Sequence, residues 1–364
     1  MTKKKKLALV LFGGGARSAY QAGVLRSWQD LFTKDKRIDI LYGVSAGTIN
    51  TVKLAEYADN LAEGIEEMNE LWSNLHTHEI FDSNLRSVVS NIFNLTRSSR
   101  KNRNDHESSI HKAILSTNPF YQFLLKHFDI GEIHHQLNKN PDQSLAINCF
   151  DYSTMKNITF FQGSDECKEW NTPSRTGRKT IINTKHIMAS CAIPFIFPTI
   201  NIDGGYYGDG SLRNIAPLAP AIKLGAERIL CINLKDVHLE SRKDIAPTLG
   251  NVAEAIFESS FMDSIDYDTQ VLDKINRLSV HSEASIEGSK VIDLCVIKSK
   301  LHFGKIAQKH QGKFPKSVRY LLGGWMSPAL ISYLMFDGSY CNELMDQGFR
   351  DGHLYRDTVQ EWLE

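Results

Sequence analysis

Four short runs rich in β-favouring residues, LALVLF (7–12), DILYGV (39–44), ERILCINL (227–234) and VIDLCVI (291–297), are apolar at almost every position rather than at alternate ones. A strand with one wet face alternates polar and apolar side chains. Continuous runs belong to strands covered on both faces, as in parallel sheets sandwiched between helices. Helical patterns follow the first two runs at once, in ARSAYQAGVLRSWQDLF (16–32) and AGTINTVKLAEYADNLAEGIEEMNELW (46–72). The expectation is an α/β protein with a mostly parallel central sheet. SLAINCFDYSTMKNITFFQ (144–162) reads as two strands joined by a turn at 153–157, which adds an antiparallel hairpin.

The remaining chain sets boundaries rather than chemistry. With 364 residues, the chain suits one large domain, expected at 1–235, and a mainly helical C-terminal region, 236–364, packed on it. Forty-two Lys and Arg balance forty-two Asp and Glu, so no global basic field speaks for nucleic acid. The six cysteines lack CxxC spacing and read as reduced packing residues of a cytoplasmic-type protein. MTKKKK opens a first strand rather than a secretion signal, and no run is long enough to span a bilayer, so any membrane encounter is expected to be peripheral. The polar stretch 87–105 reads as a surface loop. In the helix NPFYQFLLKHF (118–128), Phe120, Phe123, Leu124 and Phe128 form an apolar stripe. That stripe beside the basic stretch 97–103 is either an interfacial lid or an ordinary core face. His76, His78 and Glu79 lack a further ligand at metal-site spacing, so no metal is expected.

Two strand-to-helix turns carry the candidate chemistry. Gly43-Val44-Ser45-Ala46-Gly47 places Ser45 between glycines at a helix start, where it serves either as an N-cap or as an exposed nucleophile. An α/β-hydrolase elbow would normally follow several strands, whereas here only one precedes the strand that leads into it. No histidine among thirteen, His353 included, has a context that singles it out. Upstream, the amides of Gly13, Gly14 and Gly15 could converge on an anion at a helix start, with Arg17 adding charge. The same segment fails as a dinucleotide loop, because Ser18 stands at the third glycine and no acidic residue closes the second strand. Two Asp-Gly pairs, Asp203-Gly204 and Asp209-Gly210, are hairpin-turn signatures, yet an aspartate within hydrogen-bond reach can accept a serine proton directly.

GGGAR, GVSAG, LAINCFDYSTMKNITFF, ASCAIPFIFPTI and YYGDGSLRNIAPL, followed by LGAERIL, occur in an order and spacing that resembles the patatin-like phospholipase family over residues 7–234. The resemblance implies a three-layer α/β/α fold and metal-free, cofactor-free hydrolysis of lipid acyl esters, on phospholipids or lysophospholipids. It implies Ser45 as nucleophile and Asp209 as base, without imidazole, with Gly13, Gly14, Gly15 and Arg17 as the oxyanion hole and Gly43, Gly47 and Gly210 as motif supports. Tyr207, Asn214 and Pro217 around Asp209 match the family pattern, which leaves Asp203 in the preceding turn. Ser18 and Ser211 depart from that pattern by one small residue each. A transacylase, or a non-catalytic lipid-binding scaffold, is the alternative on the same fold.

Overall fold

The computed structural model describes residues 4–33, 36–98, 113–236, 249–261, 264–281, 291–322 and 326–364. Among the described residues ten strands form one sheet: β1 (Leu7–Leu11), β2 (Ile40–Val44), β3 (Ser144–Asp151), β4 (Lys156–Gly163), β5 (Trp170–Asn171), β6 (Arg175–Lys179), β7 (Ile200–Ile202), β8 (Gly205–Asp209), β9 (Arg228–Asn233) and β10 (Asp293–Lys298). The main order is β10-β9-β1-β2-β3-β4-β6-β5. From β10 to β3 every neighbouring pair is parallel. The hairpin β3–β4 turns the sheet antiparallel, and β8 pairs antiparallel with the far end of β3, placing Asp209 opposite Cys149.

The continuous apolar runs have their explanation in two cores, one on each face. Leu7, Leu9 and Leu11 of β1 join Leu41, Leu230 and Ile232 on one side. Ala8 and Val10 join Ile40, Tyr42, Ile229 and Cys231 on the other. Each buried Leu or Ile contributes about 1.5–3 kcal/mol, so a polar residue on either face of these strands would weaken the sheet.

The C-terminal region continues this sheet through β10 and packs against the first helix, Ala19–Arg26. There the Gly338–Gly352 helix approaches at backbone distance, since a Cβ on Gly23 would stand 2.0 Å from the Met345 carbonyl oxygen. Tyr20 donates to Asp351 at 2.9 Å, and the Trp28 indole donates to the Gly352 carbonyl at 2.9 Å.

One expectation needs correction, one helical pattern divides in two, and one open alternative is decided. The stretch read as a loop from residue 87 is helical through Ser98, in the Leu85–Ser98 helix; residues 99–112 lie outside the described residues. The pattern 46–72 is two helices, Gly47–Glu56 and Leu61–Ser73, separated at Tyr57–Asn60. On the Asn118–His127 helix and just after it, Phe120, Phe123, Leu124 and Phe128 are buried in the main core, so the stripe is not a lid face. A stripe of this width buries more area against a neighbour than it could hold exposed in water.

Candidate active site

Strand β2 ends at Val44, and the chain reverses into the Gly47–Glu56 helix through Ser45, whose φ of 51° lies in the left-handed region. A non-glycine residue is strained there, and the neighbours hold it in place. Ser45 N–H donates to Ser190 Oγ at 2.9 Å, and Ser190 in turn donates to the Asn148 carbonyl at 2.7 Å. The Ser45 carbonyl accepts from Thr48 N at 2.9 Å and from the Cys191 thiol at 3.2 Å. The glycines make the reversal possible: a Cβ on Gly47 would stand 2.1 Å from the Leu11 carbonyl oxygen, and one on Gly43 would stand 2.5 Å from the Thr48 Cα.

Asp209 ends β8 and comes within 2.5 Å of Ser45 Oγ through Oδ2. Its other oxygen accepts from Ser211 N at 2.8 Å. The turn behind it is fixed by two amides, Asn148 and Asn157, which both donate to the Gly210 carbonyl, at 2.6 and 3.0 Å. Ser45 and Asp209 are 1% and 0% exposed. Burial pushes the Asp209 carboxyl up to about 6, against the opposing pull of the Ser45 and Ser211 hydrogen bonds. The neighbouring thiols, Cys149 and Cys191, are pushed well up by burial and by Asp209, which keeps them neutral.

Gly13 lies against the nucleophile: a Cβ there would stand 2.4 Å from Ser45 Cβ and 2.9 Å from Ser211 Oγ. Among the described residues, the Gly13 and Gly14 amides donate to no protein acceptor. Gly15 turns the chain with φ of 55° into the short 3-10 helix Gly15–Ser18.

Arg17 departs from its expected place. Its guanidinium is fully buried and bonded to Glu258, Ser332, Tyr333 and the Ala329 carbonyl, all in the C-terminal region. A cation committed to four acceptors there supplies no free charge to an oxyanion.

Asp203 sits with φ of 50° beside Gly204, φ 87°, in the tight turn between β7 and β8. Two positive φ values are what a two-residue hairpin turn of this hand requires. Among the described residues no imidazole is hydrogen-bonded to Ser45 or Asp209. Burial lowers His186 to about 4, its ring meeting Asn183, and the His353 ring packs on Phe349. No group of three or more His, Cys, Asp or Glu among the described residues could hold a metal, and His76 and His78 stack on each other. Sequence reasoning missed Ser190, Asn148 and Asn157 as supports. The available signal was a short polar side chain inside otherwise apolar segments, SLAINCF and IMASCAI, since buried polar groups require partners.

No curated protein matches the sequence. Among solved structures, the chain is similar to the crystal structure of VipD from Legionella pneumophila, with 13% identity, 94% of this chain and 67% of that chain covered, and a TM-score of 0.37. Residues 9–222 match the patatin-like phospholipase family, a span that takes in the last three residues of β1, the Ser45 turn and the Asp209 turn. More than half of the chain lies within that match, and the protein therefore belongs to the patatin-like phospholipase family, a family of lipid acyl hydrolases.

Proposed function

We propose that this protein cleaves carboxylic esters of phospholipids or lysophospholipids through a Ser45–Asp209 dyad. The observation that carries the reading is the 2.5 Å contact between Ser45 Oγ and a fully buried carboxylate. An alcohol is a weak nucleophile until a base takes its proton, and a carboxylate raised by burial to about 6 is a better base than one in water while still ionised at neutral pH. Ser45 Oγ attacks the ester carbonyl as its proton passes to Asp209. The tetrahedral oxyanion is met by the amides of the Gly13–Gly15 loop, the leaving alcohol takes the proton, and an acyl-serine remains. Water then attacks that acyl group, Asp209 accepts the water proton, and Ser45 departs with it. Purified protein should be labelled by a fluorophosphonate probe, and Ser45→Ala should not. Lipid hydrolysis at the wild-type rate by Asp209→Asn would exclude the dyad.

The same reading needs a place where lipid is met, and the apolar face of the Leu85–Ser98 helix supports one. Leu85, Val89 and Phe93 recur at helical spacing and are 49%, 47% and 59% exposed. Beside them Lys316, Arg319 and Tyr320 of the Lys316–Leu322 helix line a recess of about 440 Å3 with Leu85. Neither helix contains an acidic residue, although the chain as a whole is neutral. Apolar side chains ringed by cations match an anionic lipid surface. Sedimentation with anionic vesicles should weaken in Val89→Ser with Lys316→Glu, while hydrolysis of a soluble ester stays unchanged; equal sedimentation would move the contact elsewhere.

A further inference from the structure

The glycine loop is gripped from two sides. On one, Gly13 meets Ser45. On the other, Gly15 lies so close to the C-terminal region that a Cβ would stand 2.0 Å from the Tyr333 carbonyl oxygen. Arg17 N–H donates to the Gly14 carbonyl at 3.1 Å, which makes the loop and the first turn after it one unit. From that turn the Arg17 side chain enters a closed socket. Nε donates to Ser332 Oγ at 2.7 Å, Nη1 to Glu258 Oε1 at 2.9 Å and to Tyr333 OH at 3.2 Å, and Nη2 to the Ala329 carbonyl at 3.1 Å. The Tyr333 and Phe303 rings lie 3.9 and 5.1 Å from its central carbon. Burial alone would disfavour the cation, but the Tyr333 oxygen and the Glu258 carboxylate facing it more than offset that.

The Leu249–Phe261 helix bears the mark of this cation. It turns Glu254 and Glu258 inward, each 6% exposed, and leaves Val252 and Ile256 outside at 46% and 60%. A helix packed by hydrophobicity alone does the reverse. A buried positive charge across from Glu258 accounts for its share of the inversion.

We propose that Arg17 is a positioning residue: through Glu258, Ser332, Tyr333 and the Ala329 carbonyl, the C-terminal region fixes where the Gly13–Gly15 amides stand relative to Ser45. Donors to an oxyanion work within a narrow range, roughly 2.7–3.1 Å, and a displacement of about 1 Å costs on the order of a hundredfold in rate. Three successive glycines have no side chains with which to hold such a geometry themselves. Their stiffness comes from what they are fastened to, and Arg17 is the fastening. The inference rests on the reading of Ser45 as nucleophile and of these amides as its oxyanion donors.

The test uses the full-length chain carrying Arg17→Met, Arg17→Lys, Glu258→Gln, Ser332→Ala or Tyr333→Phe. For each, kcat and KM on a soluble ester, Ki for a trifluoromethyl ketone that forms a tetrahedral adduct, the pH midpoint and the melting temperature are measured. In Arg17→Met, kcat should fall roughly 10- to 100-fold, with KM within about twofold and Ki weakened in parallel with kcat/KM. Arg17→Lys should recover part of the loss. The pH midpoint should stay in place, since Asp209 is untouched. A merely structural role would lower the melting temperature without linking Ki to kcat/KM. Should Arg17→Met fail to fold, Glu258→Gln and Tyr333→Phe, which keep their side-chain volumes, carry the test. Folded variants of those two with wild-type kcat and Ki, or a fall in kcat with Ki unchanged, would overturn the proposal. Absence of fluorophosphonate labelling at wild-type Ser45 would instead strike the dyad reading; a labelled Ser45 with unaffected variants strikes only the positioning role.

Discussion

Asp209 combines two costs: a carboxylate with 0% exposure and a serine hydroxyl pressed against it from a strained turn. Its carboxyl is raised to about 6 in the folded state from an ordinary value of 3.8. The folded state therefore binds the proton more tightly than the unfolded chain does. The stability this group contributes is fully present below its ordinary value and is lost as pH rises through about 6. Activity has the opposite sign, because the base must be ionised: kcat/KM should climb between pH 5 and 7 with a midpoint near 6. A flat profile over that range would remove Asp209 from the base role. Asp209→Asn should abolish hydrolysis yet be more stable than wild type by about 3 kcal/mol at pH 8, with the gap closing toward pH 4 in thermal melts. At this scale the meeting of Ser45 and Asp209 was legible because each sits on a short turn with its own residue signature. Arg17 was not. Its position beside the glycines is visible in the sequence, but the carboxylate that claims it lies 241 residues downstream, and nothing local in either segment reveals the pairing.

Among the elements, the two central turns depend on backbone contacts that side chains would forbid. Gly47→Ala would drive its Cβ toward the Leu11 carbonyl oxygen, 2.1 Å away, and push the Gly47–Glu56 helix off β1. The expected loss is about 2–4 kcal/mol, within the range for strain at a tight site, with fluorophosphonate labelling of Ser45 falling in step; chemical denaturation of the variant measures the first and gel fluorescence the second. The strands were readable because a sheet covered on both faces leaves continuous apolar runs. The helices left two readings open where the same amphipathic pattern serves two purposes. Phe123 on the Asn118–His127 helix is 6% exposed within the main core, so Phe123→Ser should destabilise the fold by about 3 kcal/mol. Its vesicle binding, measured on the folded fraction, should remain as in wild type. A selective loss of vesicle binding with unchanged stability would restore the lid reading.

Across the whole molecule, the chain closes on itself. β1 is flanked by β2 and by β9, and β10 extends the sheet from the C-terminal region, while the Gly338–Gly352 helix lies on the first helix. A fragment ending at residue 235 would lose β10, the partners of Trp28 and Tyr20, and all four acceptors of Arg17. Removing that region bares the face of the first helix that the Gly338–Gly352 helix covers, and each large buried side chain exposed there costs about 1.5–3 kcal/mol, comparable in sum to a large part of a typical domain's stability. Such a fragment should be recovered insoluble, or without a cooperative melt. A soluble fragment with a sharp transition would show the first 235 residues to be autonomous. Motif density pointed to residues 7–234 as the family-like stretch, and the family match over 9–222 lies inside it. The interdependence of that stretch and the C-terminal region was not legible, since long-range burial leaves no periodic trace. The placement of Glu258, Ser332 and Tyr333 has a temporal consequence. While the polypeptide is still emerging from the ribosome, Ser45 has been made but the residues that anchor the neighbouring glycine loop have not. If Ser45 and the Gly13–Gly15 amides act as proposed, a chain assembled in this order reaches its full rate of lipid cleavage only when translation is nearly finished.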